Sequence, residues 1–389
     1  MKSFFEDTAT AFSIKSDTAL ERAYFLFKLI SKQPLVKLGT IVTNFAIKAH
    51  MPVEGLIRAT VFDHFCGGVS ETDCVPVMEK MHEKQVYSVL DYSVEGKAEN
   101  EYFDQVVAKI SSLILFAKTK PYIPFVVFKP TALGAISLYE KVGNKAPLSP
   151  EESKDWQKVQ ERFHAICQKA FQNNIPLLID GEESWMQDAA DALVLEMMRT
   201  YNTHQPLIYN TLQAYRWDRL SYIQDLVETA TKEGFKVGIK VVRGAYMEKE
   251  RTRAKEFGYP SPICKDKQAT DDNFNSIVSY MLGQLDILSI FLGTHNELSS
   301  YMLIDAMEAQ GISLNDPRIW FGQLYGMSDH ISYNLSSRGY NVSKYLPFGP
   351  VRDVMPYLMR RAEENTSVAG QTNRELDLLT KERKRRKLA

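Results

Sequence analysis

The chain has 389 residues, of which 44% are apolar and 24% are charged, and its formal net charge at pH 7 is −1. This composition is typical of a soluble globular protein with a sizeable core, and the balanced charge gives no reason to expect a nucleic-acid partner. The four cysteines form no CxxC motif and the seven histidines form no HExxH motif. We therefore expect free thiols and no metal site.

Residues 1–84 are predicted to form a helical arm that packs on something larger. Apolar residues recur at helical spacing from Thr18 to His50 with one proline break, a second helix runs to about Phe65, and a third runs through Met81. The first residues, MKSFFEDTATAF, are neither a secretory signal nor a transit peptide. No run is apolar enough for a transmembrane helix. We expect a protein that is soluble, or attached to a membrane only at its surface.

From residue 85 the pattern changes to short apolar runs separated by amphipathic helices. The predicted strands are Val86–Val94, Phe125–Thr131, Pro176–Asp180, Leu207–Gln213, Lys236–Val242, Leu288–Thr294, Arg318–Leu324 and Val342–Pro347. The predicted helices include Pro150–Gln172, Met186–Tyr201, Asp218–Glu233, Asp272–Leu282 and Glu297–Gln310. Such strands indicate a buried parallel sheet. Over residues 85–370 it closes most naturally into a (β/α)8 barrel, and a doubly wound open sheet is the alternative.

Polar and charged side chains follow nearly every predicted strand at its C-terminal end. In (β/α)8 barrels that end carries the active site, so we expect one here. The side chains concerned are Lys129, Asp180, Gln213, Arg243, Thr294, His295, Gln323 and Tyr345, with Lys240 inside the fifth strand.

The segment YLPFGPVRDVMPYLMRRAEEN, residues 345–365, is predicted to pass from a strand through a turn into a helix. That helix carries Arg360, Arg361 and Glu364 within one turn. Two guanidiniums and a carboxylate can bind a small zwitterion, with the arginines on its carboxylate and the glutamate near its amine. The alternative interpretation is an ordinary solvated helix face.

Cationic groups outnumber carboxylates among these candidates, so an anionic cofactor together with an anionic substrate would balance them. Gly244 and Ala245 allow the backbone to approach a phosphate or a ring closely. Neither a nucleophile–histidine pair nor a carboxylate cluster for two metals stands out. Hydride transfer to a bound organic cofactor fits, because it needs little from the protein except positioning.

The C-terminal segment 371–389 carries six basic residues among the seven from Lys381 to Lys387. Its usual interpretation is a solvated, frayed tail. A more specific hypothesis is electrostatic contact with an anionic membrane surface.

Several short motifs together resemble the proline dehydrogenase family, flavin enzymes that oxidise L-proline to Δ1-pyrroline-5-carboxylate. The motifs are FKPTALG, LLIDGEES, QAYR, KVVRGAY, THN, GQLYGM, YLPFGPV and PYLMRRAEEN, in the order found in the family. The resemblance covers most of residues 86–365, and the long helical arm is similar to that of stand-alone members. It implies a distorted (βα)8 barrel that binds FAD noncovalently.

The resemblance also implies roles for individual residues. Lys129, Arg360 and Arg361 would hold the proline carboxylate, and Glu364 would lie near the ring amine. Asp180 matches an aspartate beside substrate and flavin, and Lys240 a basic residue near the flavin; these are the expected catalytic residues. The expected flavin contacts are Gly181, Gln213, Lys240, Arg243, Gly244, Ala245, Thr294 and His295. The expected aromatic walls around the substrate ring are Tyr246, Tyr345 and Tyr357, and the bulk of Tyr345 favours proline over hydroxyproline.

Two positions depart from the family pattern. Gly181 stands where many members have alanine, which is expected only to loosen the turn. Lys240 stands where many bacterial members have arginine, so it keeps the charge but loses the planar, two-pronged donor.

The resemblance further implies that the reaction is the first step of proline catabolism and that electrons pass to a membrane quinone. It places the protein in the cytoplasm or peripherally on the inner membrane, which in a eukaryote is the mitochondrial one. A Schiff-base lyase or aldolase acting through Lys129, and a non-enzymatic barrel presenting its basic tail, are the alternatives. The sequence does not give the oligomeric state.

Overall fold

The computed structural model describes residues 4–32, 54–93, 99–359, 361 and 369–388. Eight parallel strands close into a barrel in which the hydrogen-bonded order follows the chain from β1 to β8. The last strand pairs with the first, as in Val86 with Val342 and Tyr92 with Phe348. The predicted (βα)8 barrel is therefore confirmed, and the open-sheet alternative is wrong because a closed sheet has no edge strands.

The strands are three to seven residues long, and β2, β3 and β4 are buried throughout. Their bounds are β1 Val86–Tyr92, β2 Phe125–Phe128, β3 Leu177–Ile179, β4 Ile208–Gln213, β5 Val237–Val242, β6 Leu288–Gly293, β7 Ile319–Leu324 and β8 Val342–Phe348.

Helices precede, connect and follow the strands. Before β1 lie α1 Thr8–Ala11, α2 Asp17–Ile30, α3 Glu54–Ile57, α4 Asp63–Phe65 and α5 Val75–His82. Between the strands lie α6 Asn100–Lys118, α7 Ile136–Gly143, α8 Pro150–Asn173, α9 Ser184–Tyr201, α10 Arg219–Glu233, α11 Met247–Phe257, α12 Lys267–Leu282, α13 Glu297–Ala309 and α14 Asp329–Ser336. After β8, residues 355–359 are helical and α15 spans Ala369–Arg385.

The predicted strands agree with these bounds to within one residue at most ends, and the main difference lies at β2. This strand was expected to continue to Thr131 but ends at Phe128, because Pro130 begins a 3-10 turn over Pro130–Ala132. Proline has no N–H to donate to a neighbouring strand, so the ladder stops before it. Lys129 therefore lies just beyond the strand.

At the N-terminus, the predicted helix from Thr18 to His50 corresponds to α2, and its later part, residues 33–50, lies outside the described residues. The third predicted helix begins later than expected, at Val75. Its start is delayed because Ser70 and Asp73 bond each other in a turn, with Ser70 N donating to Asp73 Oδ2 at 3.1 Å. Side chains of this type stabilise turns as readily as helix caps.

The chain divides into two compact units that cut across the expected domains. The first comprises residues 1–95, 295–297 and 322–389, and the second comprises 96–294 and 298–321. The division expected from the sequence, into an arm 1–84, a barrel 85–370 and a tail 371–389, stays a prediction.

In the first unit, the C-terminal basic segment is the helix α15 rather than a frayed tail. Leu378 and Leu379 on α15 are fully buried against Leu20 and Phe27 of α2. Burying two leucines outweighs the tendency of a charged terminus to fray. A second cluster packs α2 against the helical residues 355–359 through Leu26, Met355 and Leu358.

In the second unit, an aromatic cluster fills the barrel between four strands. The ring of Phe125 on β2 meets those of Tyr209, Phe291 and Trp320 edge-to-face, at centroid distances of 5.5, 5.4 and 5.2 Å. Edge-to-face contact suits the quadrupoles of the rings and fixes their relative orientation. No helix within the described ranges is both long and apolar enough to cross a bilayer.

Candidate active site

Asp180 and Lys240, the expected catalytic residues, form an ion pair in the second unit. Asp180 follows β3 and Lys240 lies on β5, and the lysine Nζ donates to Asp180 Oδ1. Lys240 is 5% exposed, whereas the Asp180 side chain is 17% exposed. A buried ammonium is costly without a counter-charge, so Asp180 is the group that allows Lys240 to sit inside the barrel.

Lys129 lies at the start of the turn after β2. Hydrogen bonds to Glu182 connect that turn to the loop after β3. Thr131 N and Thr131 Oγ1 both donate to the Glu182 carboxylate, at 2.8 and 2.6 Å. Glu182 is buried, and burial raises its pKa to about 7, although the hydrogen bonds from Thr131 and the charge of Lys129 oppose the shift. Its protonation is therefore balanced near neutral pH.

Gln213, at the end of β4, links three loops. Its Nε2 donates to Glu182 O at 2.5 Å, and its Oε1 accepts from Ala245 N at 3.3 Å. Gly181 lies against the same side chain, since a Cβ at Gly181 would sit 3.1 Å from Thr211 O and 3.3 Å from Gln213 Nε2. The loop therefore packs closely on β4 at Gly181, and the expectation that this glycine only loosens the turn stays a prediction.

Arg243, directly after β5, makes three hydrogen bonds and one contact with an aromatic ring. Its guanidinium donates to Asp271 Oδ1 at 2.7 Å, to Thr294 Oγ1 at 2.9 Å and to Ser299 Oγ at 3.0 Å. The guanidinium carbon lies 4.4 Å from the centroid of Phe274. A guanidinium fixed in this way loses little further entropy when it binds an anion.

The segment after Arg243 presents exposed backbone. Gly244 has a φ of +130°, and a Cβ there would meet the ring of Tyr215 at 2.4 Å. Only glycine fits this combination of left-handed conformation and close approach. Gly244 and Ala245 are exposed, and Tyr246 precedes α11 with its ring 5.5 Å from Lys249 Nζ.

The first unit carries the residues expected around the substrate ring. Tyr345 on β8 is 7% exposed and Tyr357 is 4% exposed. Arg361 is buried with its guanidinium carbon 5.1 Å from the centroid of Tyr357, a cation–π contact. Arg360 and Glu364 lie outside the described residues.

His295, also in the first unit, contacts a residue that the sequence did not single out. Its Nδ1 lies 2.9 Å from Ser328 Oγ. Ser328 is fully buried and has a left-handed backbone with a φ of 51°, and its N–H donates to Glu375 Oε1 of α15 at 2.5 Å. The contact with α15 was not foreseen, because nearly fifty residues separate Ser328 from Glu375.

Within each unit the expected site residues meet in part. In the second unit, the structure pairs Asp180 with Lys240, Gln213 with Ala245 and Arg243 with Thr294. In the first unit it brings Arg361 to Tyr357. The convergence of both groups on one bound molecule stays a prediction. Sequence reasoning missed Glu182, although an acid two residues beyond Asp180 was a signal that could have revealed it.

The comparisons with known proteins decide the family. The family profile described as proline dehydrogenase matches residues 74–374. The chain belongs to the proline dehydrogenase family. The expected family is thereby confirmed, and so is the activity, an oxidoreductase reaction that converts proline to Δ1-pyrroline-5-carboxylate. The lyase and non-enzymatic alternatives are set aside.

Two relatives illustrate the range of the family's similarity to this chain. The carbapenem antibiotics biosynthesis protein CarD of Pectobacterium carotovorum is 35% identical, over 86% of this chain and 86% of its own length. Proline dehydrogenase 1, mitochondrial, of Arabidopsis thaliana is 31% identical, over 98% of this chain and 86% of its own length. Both alignments therefore extend across nearly the whole of each protein.

A solved structure supports the fold. Proline utilization A of Bdellovibrio bacteriovorus, inactivated by N-propargylglycine, superposes with a TM-score of 0.71 at 20% identity. The match covers 95% of this chain but only 39% of that much longer one. At this identity the likeness shows the barrel and its flanking helices. Proline dehydrogenases are typically flavin-dependent.

Proposed function

We propose that the chain binds FAD noncovalently at the C-terminal ends of the strands and oxidises L-proline by hydride transfer to it. The proposal rests chiefly on the segment after β5, where a fixed guanidinium at Arg243 is followed by exposed backbone at Gly244 and Ala245. A fixed cation next to an exposed turn that contains glycine is a common means of holding phosphate groups.

The residues present fit a flavin dinucleotide. Arg243 supplies a guanidinium, Lys240 supplies an ammonium whose charge Asp180 balances, and Gln213 and Thr294 supply groups that exchange hydrogen bonds with a ring or a ribose. Gly244 has no side chain of its own to cover the exposed backbone of that turn, and the Tyr215 ring occupies the space that a Cβ would need. We propose that these residues, with Gly181, Ala245 and His295, form the FAD site.

For the substrate, we propose that Lys129, Arg360 and Arg361 bind the carboxylate of proline and that Glu364 lies near its amine. Arg361 is supported by its burial against Tyr357, which restricts where the guanidinium points. Tyr246, Tyr345 and Tyr357 would form the walls around the ring. The bulk of Tyr345 would crowd a ring hydroxyl, so we expect proline to be preferred over hydroxyproline.

The residues then act mainly by positioning. Fixing the carboxylate sets one ring carbon in place, so that loss of hydride becomes effectively unimolecular. Burial by the tyrosines excludes water from the reacting carbon. The ring nitrogen gives up a proton as the C=N bond forms, and the hydride leaves from the adjacent carbon. FAD, when bound, accepts that hydride. Asp180 and Lys240, as one neutral pair, would orient the reacting groups without adding net charge.

The decisive experiment is the visible spectrum of the purified protein. We expect bound flavin absorption that bleaches when L-proline is added without oxygen. In Arg361→Met the flavin should stay bound, while the KM for proline rises about 100-fold. Arg338→Met is the matched control, because Arg338 also stacks on an aromatic ring, Phe4 at 4.2 Å, away from the expected site. Loss of flavin with unchanged proline affinity in Arg361→Met would reverse the assignment.

The Asp180–Lys240 pair is tested by a double-mutant cycle. Asp180→Ala should slow turnover about 100-fold and destabilise the protein, because the buried Lys240 loses its ion pair with this carboxylate. Adding Lys240→Met should recover stability in urea unfolding but not turnover. Unaltered turnover in Asp180→Ala would remove this residue from the site.

The electron acceptor and the location complete the proposal. We propose that a membrane quinone reoxidises the flavin and that the protein works in the cytoplasm or at the inner membrane surface. The Arabidopsis and human relatives are named as mitochondrial.

Contact with an anionic membrane would fall to exposed lysines such as Lys384 and Lys387, since Lys381 and Arg383 pair with Glu6 and Glu21. Deleting residues 381–389 should then weaken salt-sensitive binding to anionic vesicles, and unchanged binding would refute that contact.

A further inference from the structure

The C-terminal helix α15 reaches the expected flavin contact His295 through one buried serine. Ser328 lies in the loop after β7, and its Oγ is 2.9 Å from His295 Nδ1. Its own N–H donates to Glu375 Oε1 at 2.5 Å. The φ and ψ of Ser328 are 51° and 42°, a left-handed conformation that is uncommon for residues other than glycine. The hydrogen bond from the Ser328 N–H to the Glu375 carboxyl stabilises such a backbone conformation, and the backbone in turn sets where the hydroxyl lies.

Arg374, the residue before Glu375, binds the other end of the short segment 295–297 that contains His295. Arg374 Nε donates to Glu297 Oε1 at 2.6 Å, and Glu297 is two residues beyond His295. His330 Nε2 lies 3.0 Å from the same oxygen. Burial by itself would raise the pKa of Glu297, but the hydrogen bonds from His330 and Arg374 outweigh it and bring that pKa to about 2. Glu297 is therefore ionised and bound at neutral pH, so α15 holds residues 295–297 directly at Glu297 and, through Ser328, at His295.

Nothing in the family match accounts for this arrangement. The profile ends at residue 374, one residue before Glu375. Glu375 is 3% exposed on a helix whose buried leucines, Leu378 and Leu379, pack on the N-terminal helices, so hydrophobic packing alone would favour a leucine here. A buried carboxylate aimed at a loop backbone indicates a role in fixing that loop.

We propose that Glu375 is a positioning residue that sets the orientation of the His295 imidazole for FAD binding, acting through Ser328. The inference rests on the proposed flavin role of His295. Glu375 fixes the backbone of Ser328, the Ser328 hydroxyl fixes the imidazole, and the Arg374–Glu297 pair keeps the loop from moving away. The contact orients the ring whichever of the two atoms carries the hydrogen.

The test uses the full chain and two readouts, FAD affinity and the imidazole signals of His295 in the flavin-depleted protein by nitrogen-15 NMR. Glu375→Ala should weaken FAD binding about tenfold and shift the His295 signals. Glu375→Gln keeps an acceptor for the Ser328 N–H and should recover most of the affinity. Ser328→Ala removes only the hydroxyl and should reproduce Glu375→Ala. The double variant should be no worse than either single one, since both act through the same contact.

Glu382→Ala is the matched control. Glu382 is also a fully buried glutamate of α15, but it binds Arg385 and Arg386 instead of the loop. Its removal should lower stability while FAD affinity and the His295 signals stay unchanged. Should Glu375→Ala fail to fold, Ser328→Ala and Glu375→Gln carry the test.

The outcomes separate this inference from the proposed function. If His295→Ala binds FAD like the unmodified protein, the flavin contact itself fails and the inference fails with it. If His295→Ala weakens FAD binding but Ser328→Ala and Glu375→Ala do not, only the positioning role is overturned. An equal loss of FAD affinity in Glu375→Ala and Glu382→Ala would also overturn it, because the effect would then come from loosening α15 as a whole.

Discussion

Gly244 shows how a single residue can be required for both conformation and contact. Its φ of +130° lies in the region that side chains disfavour, and a Cβ would meet the Tyr215 ring at 2.4 Å. Gly234 at the end of α10 also has a positive φ, +82°, but a Cβ there would meet nothing within 4 Å. A side chain at Gly234 would therefore cause backbone strain alone, whereas a side chain at Gly244 would cause both backbone strain and a steric clash.

We expect Gly244→Ala to lower the free energy of unfolding by about 3 kcal/mol and to weaken FAD binding, because the Tyr215 ring and the loop after β5 must move apart. Gly234→Ala should cost about 1 kcal/mol, from backbone strain alone, and leave FAD affinity unchanged. Urea unfolding and flavin titration measure both effects. Equal losses in the two variants would show that the contact with Tyr215 has no consequence.

Protonation of Glu182 makes the stability of the folded protein depend on pH. Its pKa rises from an ordinary 4.5 to about 7 in the folded protein, chiefly through burial. The folded state therefore binds the proton more tightly, and this contribution to stability is complete below pH 4.5 and is lost as the pH rises through 7. The loss is on the order of 3 kcal/mol.

Glu182→Gln should remove this dependence, because an amide resembles the protonated acid in shape and charge. Below pH 4.5 we expect the variant to be about as stable as the unmodified protein, and at pH 8 to be the more stable of the two. Urea unfolding of both proteins across this range measures the difference, in which all other titrating groups cancel. A constant difference between the two proteins at every pH would contradict the assignment.

At the scale of elements, α15 is the helix whose role differs most from what its composition indicates. Its basic residues are bound within the protein, for example Arg386 to Asp17 at 3.0 Å and Arg383 to Glu21 at 2.5 Å. The guanidinium of Arg383 also lies over the ring of Tyr24 at 4.0 Å. These partners belong to the N-terminal helices, so the two ends of the chain stabilise each other.

Leu378→Ala on α15 should therefore destabilise the protein by about 3 kcal/mol, because it leaves a cavity beside Leu20 and Phe27. Leu376→Ala on the same helix should cost only about 1 kcal/mol, since Leu376 is only partly buried at the edge of this cluster. Thermal unfolding of the two variants provides the comparison. Similar melting temperatures for both would indicate that α15 is not docked as described.

Among the described residues of the first unit, a buried ionic cluster joins segments that are far apart in the chain. Asp329 lies 2.7 Å from Lys344 on β8 and 3.1 Å from Lys15 near the N-terminus. Burial alone would raise the pKa of Asp329, but the charges of the two lysines outweigh it and hold that pKa well below its usual value. The stability that this carboxylate contributes is present above pH 3.8 and is lost as the pH falls below that value.

Asp329→Asn should reduce the free energy of unfolding by about 3 kcal/mol at pH 7, since Lys344 is fully buried and would lose its counter-charge. Asp17→Asn removes an exposed partner of Arg386 and should cost less than about 1 kcal/mol. Chemical unfolding at pH 7 and pH 3 measures both. The difference between Asp329→Asn and the unmodified protein should shrink at the lower pH, and a difference that grew there would contradict this account.

The sequence by itself determined the barrel, the family and most strand bounds. Runs such as Phe125–Phe128 are apolar throughout, which is the pattern typical of a parallel strand buried on both faces. It also determined which residue types follow each strand, because the residues at the C-terminal end of a strand can be read directly from the sequence once the strand is located. Gly244 and Arg243 were recognisable for this reason.

Only the tertiary structure decided which distant groups meet. The pairing of Lys240 with Asp180, the closure of Thr131 onto Glu182 and the reach of Glu375 to Ser328 each join residues from different elements. The folding of α15 onto the N-terminal helices is of the same kind, since its basic composition predicts a solvated tail. A local pattern reports propensity and burial, whereas the choice of a charged partner depends on which loops the closed barrel brings together.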